Sequence, residues 1–485
     1  MRRFAALAAL TALAFAPAGC RNEPEGALHV LVIGGKPGLR DPANGGLTPP
    51  DEVLLGNVAQ GLVSFDASGN IVSGLAERWT VSDDGLSYIF RIASANWPDG
   101  RKITAEQVAR LLKRQIAARS RNSLKDAFGG VEDIVAMTDR VIEISLTAPR
   151  PNMLSLLAQP QMAILRDGQG TGPYAATPAA NGELRLTREI VSPDDETATR
   201  EELLLGGSAA TNAISAFAAG KADLVLGGTF VDLPLAQRIK LPRGALRFDP
   251  ASGLFGLVPA KAGGPLDKAE VRQLLSQAID RDTFIAALGV PGLAPRSTLL
   301  EPGLEGVPAV VSPAWQGTAY AERLPGLQTQ ANRLFPKSPK PTIRVALPGG
   351  PGADLLLRLL QRDWGALGFT VERAPNAAAA DFALIDEVAP SSSPAWFARQ
   401  FRCDVVAVCS KDADALMDAA RQTPVPAQRY AFFIQAAALI DRGELFLPIA
   451  APVRWSLVSA RVQNFAGNRY ARHTLTDLEE KPSNE

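Results

Sequence analysis

The arrangement of apolar segments in the C-terminal half of the chain places the strongest constraint on its fold. A run of strand length, Thr342 to Leu347, is followed by a glycine-rich loop and by a segment with helical spacing of apolar residues over 353–366. A second run of strand length, Phe369 to Glu372, comes directly after that segment. Two strands joined through a helix lie parallel in one sheet, and the helix covers a face of that sheet. The sequence therefore predicts an α/β fold.

The stretch between residues 76 and 146 has a different pattern, which is typical of antiparallel sheet. A turn at Asp83–Gly85 separates two β-rich runs, Trp79 to Val81 and Tyr88 to Ile92, and this predicts a hairpin. The run from Val141 to Leu146 alternates with period two, as a half-buried strand does.

Helical spacing of apolar residues recurs elsewhere in the chain. It predicts helices around 194–204 and 211–219, which alternate with short strands such as Asp223–Leu226. It also predicts one continuous helix over 267–288, whose shared apolar face holds Val271, Leu274, Leu275, Ala278 and Ile279.

Composition narrows the functional classes. The 485 residues are 46% hydrophobic, which is enough to build real cores, and the length suggests two or three domains. Lysine plus arginine equals aspartate plus glutamate at 50 each, without a basic run, so we expect no nucleic-acid partner. After residue 20 no apolar stretch approaches the about 18 residues of a membrane span, and we expect the mature chain to be soluble.

The first twenty residues predict export. Two arginines follow the initiator methionine, an almost unbroken apolar run extends from Phe4 to Phe15, and small residues lead to Cys20. This order is that of a secretory signal. One outcome is cleavage before Cys20 with attachment of lipid to its thiol; the other is ordinary cleavage after Ala18, which leaves a free periplasmic protein. Both predict a periplasmic location, and lipid on Cys20 would be the link to the membrane.

Cys403 and Cys409 are the other two cysteines, with five residues between them. In an oxidising compartment we expect them to form a local disulfide. The two histidines, His29 and His473, lie far from this pair in sequence. We therefore expect no metal site, and we expect no cofactor.

Catalysis is not expected either. A Ser–His–Asp arrangement needs a histidine within hydrogen-bonding reach of the nucleophile, and structural roles explain the two histidines better. The glycines of Gly349–Gly352 lack the Gly-Lys-Ser/Thr ending of a phosphate loop and do not fit G-x-G-x-x-G. Adjacent carboxylates, as at Asp386 and Glu387, do not by themselves define an acid–base couple. The sequence predicts a protein that is not an enzyme.

Four blocks, in order along the chain, resemble one family of proteins. They are residues 57–108, with the strings LAERW, DDGLSY and WPDG; residues 171–174, TGPY; residues 271–281, with VRQ and AIDR; and residues 414–462. Together they resemble the bacterial extracellular solute-binding proteins of family 5, the peptide/nickel class of receptors for ATP-driven importers. Each block is weak evidence when taken singly, and their shared order over most of the chain is what makes the resemblance specific.

The resemblance implies a two-lobed periplasmic-binding-protein fold with an extra domain inserted in the first lobe. The implied limits are 28–47, 167–255 and 454–485 for lobe one, 48–166 for the inserted subdomain, and 256–453 for lobe two. The chain would cross between the lobes near Ser252–Val258 and Ile449–Arg454, and these crossings would form the hinge.

The resemblance also implies where a ligand binds. Peptide-binding members hold the N-terminal ammonium of the peptide with an aromatic and an acidic residue on a loop of lobe two. The corresponding loop here holds Asp386, Glu387, Ser391 and Trp396, with serines at 391–393 in place of the usual acidic stretch. We expect Asp386 or Glu387 to supply the anion, with a solvated loop as the alternative. Further candidate ligand contacts are Leu39, Asp41 and Phe255.

The implied function is capture of a peptide or other small solute by closure of the lobes, followed by delivery to the permease of an ABC transporter. A monomer is expected. Relatives also bind nickel chelates, haem, sugars and opines, so the class of solute stays open. The alternative is an exported scaffold, assembly or sensory lipoprotein that has kept the fold without transport.

Overall fold

The computed structural model describes residues 26–191, 198–476 and 478–480. Its strands are, in chain order, β1 (Leu28–Ile33), β2 (Val63–Phe65), β3 (Ile71–Ser73), β4 (Ala76–Val81), β5 (Ser87–Ile92), β6 (Val131–Thr138), β7 (Val141–Leu146), β8 (Ala175–Pro178), β9 (Leu184–Val191), β10 (Ala198–Ser208), β11 (Leu224–Thr229), β12 (Leu246–Phe248), β13 (Gly253–Pro259), β14 (Thr342–Ala346), β15 (Thr370–Arg373), β16 (Phe382–Val388), β17 (Leu447–Ala450), β18 (Arg454–Val458), β19 (Val462–Gln463) and β20 (Glu479–Glu480).

The α-helices of the same residues are α1 (Pro49–Val58), α2 (Ala105–Ile116), α3 (Met153–Leu157), α4 (Ala210–Ala218), α5 (Leu233–Arg238), α6 (Ala269–Gln277), α7 (Arg281–Leu288), α8 (Tyr320–Leu334), α9 (Pro351–Gly365), α10 (Pro394–Arg399), α11 (Lys411–Gln422) and α12 (Pro426–Arg442). Within this described part of the chain, none of the helices combines the length and the apolar character needed to cross a membrane.

Lobe one is built on a sheet of seven strands, in the order β12-β18-β11-β1-β10-β9-β8. The central strand β1 pairs in parallel with β10 and β11, whereas the outer strands pair antiparallel. Val30 and Leu31 are both buried although they face opposite sides of the sheet: Val30 packs toward Leu475 and Leu31 toward Phe217 of α4. Burial on both faces explains why β1 reads as a continuous apolar run.

Lobe two is built on a sheet of five strands, in the order β15-β14-β16-β13-β17. Strands β14 and β15 are parallel, with Thr342 opposite Thr370, and α9 lies between them in sequence. This confirms the strand–helix–strand unit predicted from the sequence. Strand β13 pairs antiparallel with both β16 and β17.

The inserted subdomain is an antiparallel sheet of four strands, in the order β4-β5-β7-β6. The predicted hairpin is confirmed, with Trp79 of β4 opposite Phe90 of β5. Phe90 and Trp97 are buried in a core that also includes Leu112 of α2. The ring of Phe65, which precedes this sheet, stacks on Tyr470 with ring centroids 4.7 Å apart, and thereby ties the subdomain to the C-terminal segment of lobe one.

The helix predicted around 194–204 is wrong. Residues 198–208 form β10, which pairs with β1 on one side and with β9 on the other. Pairing on both sides, with Leu203 and Leu205 buried, overrides the helical spacing of the apolar residues. Residues 194–197 of this prediction lie outside the described residues.

Two further boundaries differ from the prediction. The single helix over 267–288 is divided into α6 and α7, because Asp280 caps the start of α7 by accepting a hydrogen bond from the backbone N–H of Thr283. The limit between lobes at 255/256 falls inside β13, whose residues all pair within the second sheet from Gly253 onward.

Candidate ligand-binding site

At the boundary between the lobes, each of the two sheets ends with the carboxyl end of one of its strands. In lobe one, the carboxyl end of β11 at Thr229 lies opposite Arg454, the first residue after the chain returns from lobe two. In lobe two, the carboxyl end of β16 at Val388 lies opposite Gly253, where the chain enters that lobe. Ligands of open α/β sheets bind in the crevice outside the carboxyl ends of strands. The candidate site is therefore the cleft next to the two crossings.

Asp386, near the end of β16, forms a salt bridge across this boundary. Its carboxylate accepts a hydrogen bond from a guanidinium N–H of Arg454 at 2.8 Å, and its backbone carbonyl accepts a second one at 3.0 Å. Burial raises the pKa of Asp386, while the positive charge of Arg454 opposes that rise. Since Arg454 belongs to the first sheet and Asp386 to the second, the pair joins the lobes beside the hinge.

Glu387 follows directly and has a different environment. Successive side chains of a strand point to opposite faces, so Glu387 faces away from Asp386. Glu387 is exposed, and within the described residues its carboxylate takes part in no hydrogen bond or ion pair. Burial and the neighbouring charge of Asp386 nevertheless raise its pKa. Water therefore reaches this carboxylate, although the surrounding protein partly desolvates it.

Ser391 and Trp396 lie where lobe two contacts the inserted subdomain. Ser391 is buried, and its hydroxyl oxygen accepts a hydrogen bond from the side-chain amide of Asn152 at 2.9 Å. Both residues line a small cavity of about 10 Å³, together with Arg150 and Arg399. The structure thus brings these two predicted residues together, and it adds partners from the inserted subdomain.

Asp41 is placed in a loop of lobe one. Its carboxylate caps the short 3₁₀ turn Pro42–Asn44 by accepting from the backbone N–H of Ala43 at 3.0 Å, and it pairs with Arg114 of α2. Leu39 is half-buried against the apolar residues of lobe one and α1. Among the described residues, no hydrogen bond or ion pair joins Asp41 to β16, the strand that holds Asp386.

Phe255 lies in the core. The ring is 1% exposed, and it packs between Phe230 at 4.8 Å and Phe284 at 6.1 Å between ring centroids. A ligand has no access to this ring, so the prediction that Phe255 is a ligand contact is corrected. Its register position opposite Asp386 is near the site, but its side chain stabilises the hinge.

Sequence reasoning missed several residues of this region. Arg454 binds Asp386, and Gln159 of the inserted subdomain donates to the carbonyl of Pro390 at 2.9 Å. The sequence could have indicated Arg454, because a positive charge stands directly before the apolar strand Trp455–Val458. Nothing in the sequence indicates Gln159, because its partner is 231 residues away.

A second pocket of about 90 Å³ lies at the carboxyl edge of the first sheet. Val32 and Leu226, from β1 and β11, line its floor, and the C-terminal residues Arg472 and His473 contribute to its wall. Arg472 forms a salt bridge with Glu52 of α1, which also lines the pocket. The chain's own C-terminal segment therefore contributes to the closure of this pocket.

Both histidines, and the cysteines at 403 and 409, have partners within the protein. His29 contacts Glu183 at 2.9 Å, and His473 contacts Asp249 at 3.2 Å. The described residues contain no group of three or more His, Cys, Asp or Glu side chains that could hold a metal ion. Cys403 and Cys409 are joined in a disulfide.

The fold consists of two α/β lobes with an inserted antiparallel subdomain, and it can be compared with known proteins. The family model described as "Bacterial extracellular solute-binding proteins, family 5 Middle" matches residues 70–201. This match supports the resemblance seen in the sequence.

Several known proteins are similar over most of the chain. A probable di/tripeptide-binding protein 5 from Pseudomonas aeruginosa is 24% identical over 482 residues, covering 86% of this chain and 88% of the relative. The structure of the murein tripeptide binding protein MppA from Escherichia coli superimposes with a TM-score of 0.79 at 17% identity, covering 95% of this chain and 99% of the other. OppA from Haemophilus influenzae, solved in complex with the peptide RPPGFSPFR, gives a TM-score of 0.78 at 16% identity, covering 94% and 99%. The first two of these are named as binding proteins.

Proposed function

We propose that this chain is the extracytoplasmic solute-binding protein of an ABC importer and that it captures a peptide or peptide-like solute by closing its two lobes. The observation that carries the proposal is the carboxylate of Glu387, which is unpaired among the described residues and lies at the carboxyl edge of the second sheet. A partly desolvated carboxylate strongly favours a cationic partner, and the N-terminus of a peptide supplies an ammonium group.

The Asp386–Arg454 pair supports the division of roles within the cleft. Arg454 already neutralises Asp386, so Asp386 holds the lobes in register and Glu387 is left for the solute. Peptide ligands of the relatives named above support the same class of solute. Closure excludes water from the cleft, so that a few polar groups discriminate strongly between solutes.

We further propose that the protein has no catalytic role, acts as a monomer and delivers its solute to an ABC-transporter permease. The domain limits that we propose are those predicted from the sequence, with lobe two beginning at Gly253 because β13 pairs wholly within the second sheet. Lipid attachment at Cys20 is also a proposal, and Cys20 lies outside the described residues. Mass spectrometry of the N-terminal peptide from membrane fractions tests it, and an unmodified chain beginning at Gly19 contradicts it.

Native mass spectrometry of the purified protein tests the main proposal. We expect a co-purified molecule with a free amino group, and we expect calorimetric titration of the stripped protein with di- to pentapeptides to give saturable binding. A protein that carries no small molecule and binds no member of the panel contradicts peptide capture. A bound solute without an amino group contradicts the role of Glu387 and leaves the transport function standing.

A further inference from the structure

Four arginines meet where the inserted subdomain contacts lobe two. Arg150 comes from the inserted subdomain, just before α3, and Arg399 is the last residue of α10 in lobe two. Arg421 of α11 and Arg429 of α12 are close enough to act on the charge of Arg150. We call these four residues the arginine cluster.

The positive charge of the arginine cluster is only partly compensated in the described part of the chain: Asp126 acts on Arg399 and Glu305 acts on Arg429, both without a salt bridge. Arg399 donates to the backbone carbonyl of Asp126, and Arg429 donates to that of Pro149, so both reach across the junction to neutral oxygens. The Nε atom of Arg150 is buried and has no hydrogen-bond partner. Among residues 26–191, 198–476 and 478–480, no carboxylate forms a salt bridge with any member of the cluster.

The charges of the cluster oppose one another. Burial first, and then the positive charges of Arg150 and Arg421, lower the pKa of Arg399 to about 10. Burial, followed by the charges of Arg429 and Arg421, also lowers the pKa of Arg150. A guanidinium remains charged near neutral pH even so, and the repulsion therefore persists unless an anion relieves it.

The small cavity described above lies within this cluster. Its volume of about 10 Å³ holds one water-sized sphere, which is room for a monatomic anion or for one oxygen of an oxyanion. Arg150 and Arg399 line it, together with the polar side chains of Asn152, Ser391 and Ser393. The hydroxyl oxygen of Ser391 already accepts from Asn152, so its own O–H is directed to another acceptor. The polar part of the lining therefore offers hydrogen-bond donors, and the rest of it is apolar.

Gly130 shapes the position of Arg150. A side-chain carbon at residue 130 would collide with Nε and with the rest of the Arg150 guanidinium. The backbone of Gly130 is not in the left-handed region, so alanine is tolerated there by the main chain. Alanine at this position would displace the guanidinium without removing its charge.

We propose that the arginine cluster is an anion-binding site and that the bound anion is needed to close the inserted subdomain onto lobe two. Guanidinium, amide and hydroxyl donors accept either a small inorganic anion such as chloride or a carboxylate oxygen of the captured solute. Anion binding is independent of the function proposed above, whereas its effect on closure rests on that function. Because the anion binds the closed arrangement better, mass action stabilises closure.

The test uses the full-length mature protein, stripped of solute by unfolding and refolding, in a buffer of low conductivity. Chloride-35 line broadening measures the binding of sodium chloride, and sodium acetate serves as the competitor that represents a carboxylate. Arg150→Gln and Arg399→Gln remove one charge from each side of the junction. Gly130→Ala displaces one charge. Arg402→Gln is the control, since Arg402 lies three residues from Arg399, is paired with Asp418 and is the smallest of the charges that act on Arg399.

We expect saturable broadening in the wild type and in Arg402→Gln, with acetate as a competitor, and a loss of about fivefold or more in the other three variants. We also expect Arg150→Gln to melt at a higher temperature than the wild type when no anion is present, because the substitution removes repulsion. A residue with a purely structural role would give the opposite sign.

The two sources of the anion give different results. If the solute supplies it, chloride does not bind, and the affinity for the co-purified carboxylate solute falls about tenfold or more in Arg150→Gln and Arg399→Gln; this result also supports the site. The proposal is overturned if neither chloride nor a carboxylate solute distinguishes these variants from Arg402→Gln. If the protein binds chloride at the cluster but binds no peptide, the proposal of an anion site stands and the proposal of peptide capture is contradicted.

Discussion

The lobes meet through charged side chains in two places, and the two places use charge in opposite ways. Beside the hinge, Arg454 of the first sheet and Asp386 of the second lie 2.8 Å apart as an ion pair. At the junction of the inserted subdomain with lobe two, Arg150 faces Arg399, and both carry the same sign. The first contact is attractive, whereas the second is repulsive until something else supplies the opposite charge.

This difference separates permanent contacts from conditional ones. A charge that the chain pairs by itself fixes geometry and is unavailable to a ligand. A charge that the chain leaves unpaired in a partly desolvated place lowers the stability of the protein. A ligand of opposite charge restores that stability when it binds. Glu387 and the arginine cluster belong to the second kind. They have opposite signs, as the two ends of a zwitterionic solute do.

The hinge pair offers the largest effect. Arg454→Met should lower the free energy of unfolding by about 3 kcal/mol, because it leaves the carboxylate of Asp386 partly buried and unpaired. Urea unfolding of the variant and of Arg344→Met provides the comparison, since Arg344 pairs with Glu372 on the exposed surface and should contribute less than about 1 kcal/mol.

Adding Asp386→Asn to Arg454→Met should recover most of the loss, because the uncompensated charge is then gone. Equal stabilities for Arg454→Met and Arg344→Met would show that the hinge pair does not differ from a surface pair, and the contrast between the two places would disappear.

Glu387 gives the next largest effect, on affinity. Glu387→Gln should weaken binding of the tightest peptide from the panel by about thirtyfold, or about 2 kcal/mol, because the ligand ammonium loses its counter-charge. The same peptide with an acetylated N-terminus should bind the wild type and the variant equally. Calorimetry with both peptides decides, and a variant that loses affinity for both would assign Glu387 a structural role in β16.

The sequence predicted the parts of the fold that depend on local pattern, and it could not predict which charges are paired. The unit β14–α9–β15 and the hairpin β4–β5 follow from periodicity and turn residues. Adjacent carboxylates in the sequence, Asp386 and Glu387, have different partners because the strand points them to opposite faces and Arg454 lies on one side. The arginine cluster brings together residues between positions 150 and 429, and a local sequence pattern does not extend over so large a separation.

Asp41 tests, with a smaller expected effect, whether a charge that the chain pairs by itself is unavailable to a ligand. It was predicted as a ligand contact, and the chain already pairs it with Arg114. Asp41→Ala should lower the free energy of unfolding by about 1 kcal/mol through loss of the cap at Pro42–Asn44. Peptide affinity, measured by the same calorimetry, should remain within about twofold of the wild type. A tenfold loss of affinity would instead return Asp41 to the ligand site, and self-pairing would no longer identify structural charges.

The pH dependence of peptide binding gives the smallest effect. The pKa of Glu387 is raised in the ligand-free protein, and a bound ammonium group would lower it again. The charged carboxylate is the form that binds, so its contribution is complete above the ligand-free pKa and is lost as the pH falls through it. Because that pKa is raised, affinity should begin to fall at a pH above the usual range of a glutamate and should be lower at pH 5 than at pH 7. Glu387→Gln should remove this dependence, while Asp41→Ala should retain it. Titrations at both pH values compare the three proteins, and a fall of equal size in Glu387→Gln would mean that another group titrates.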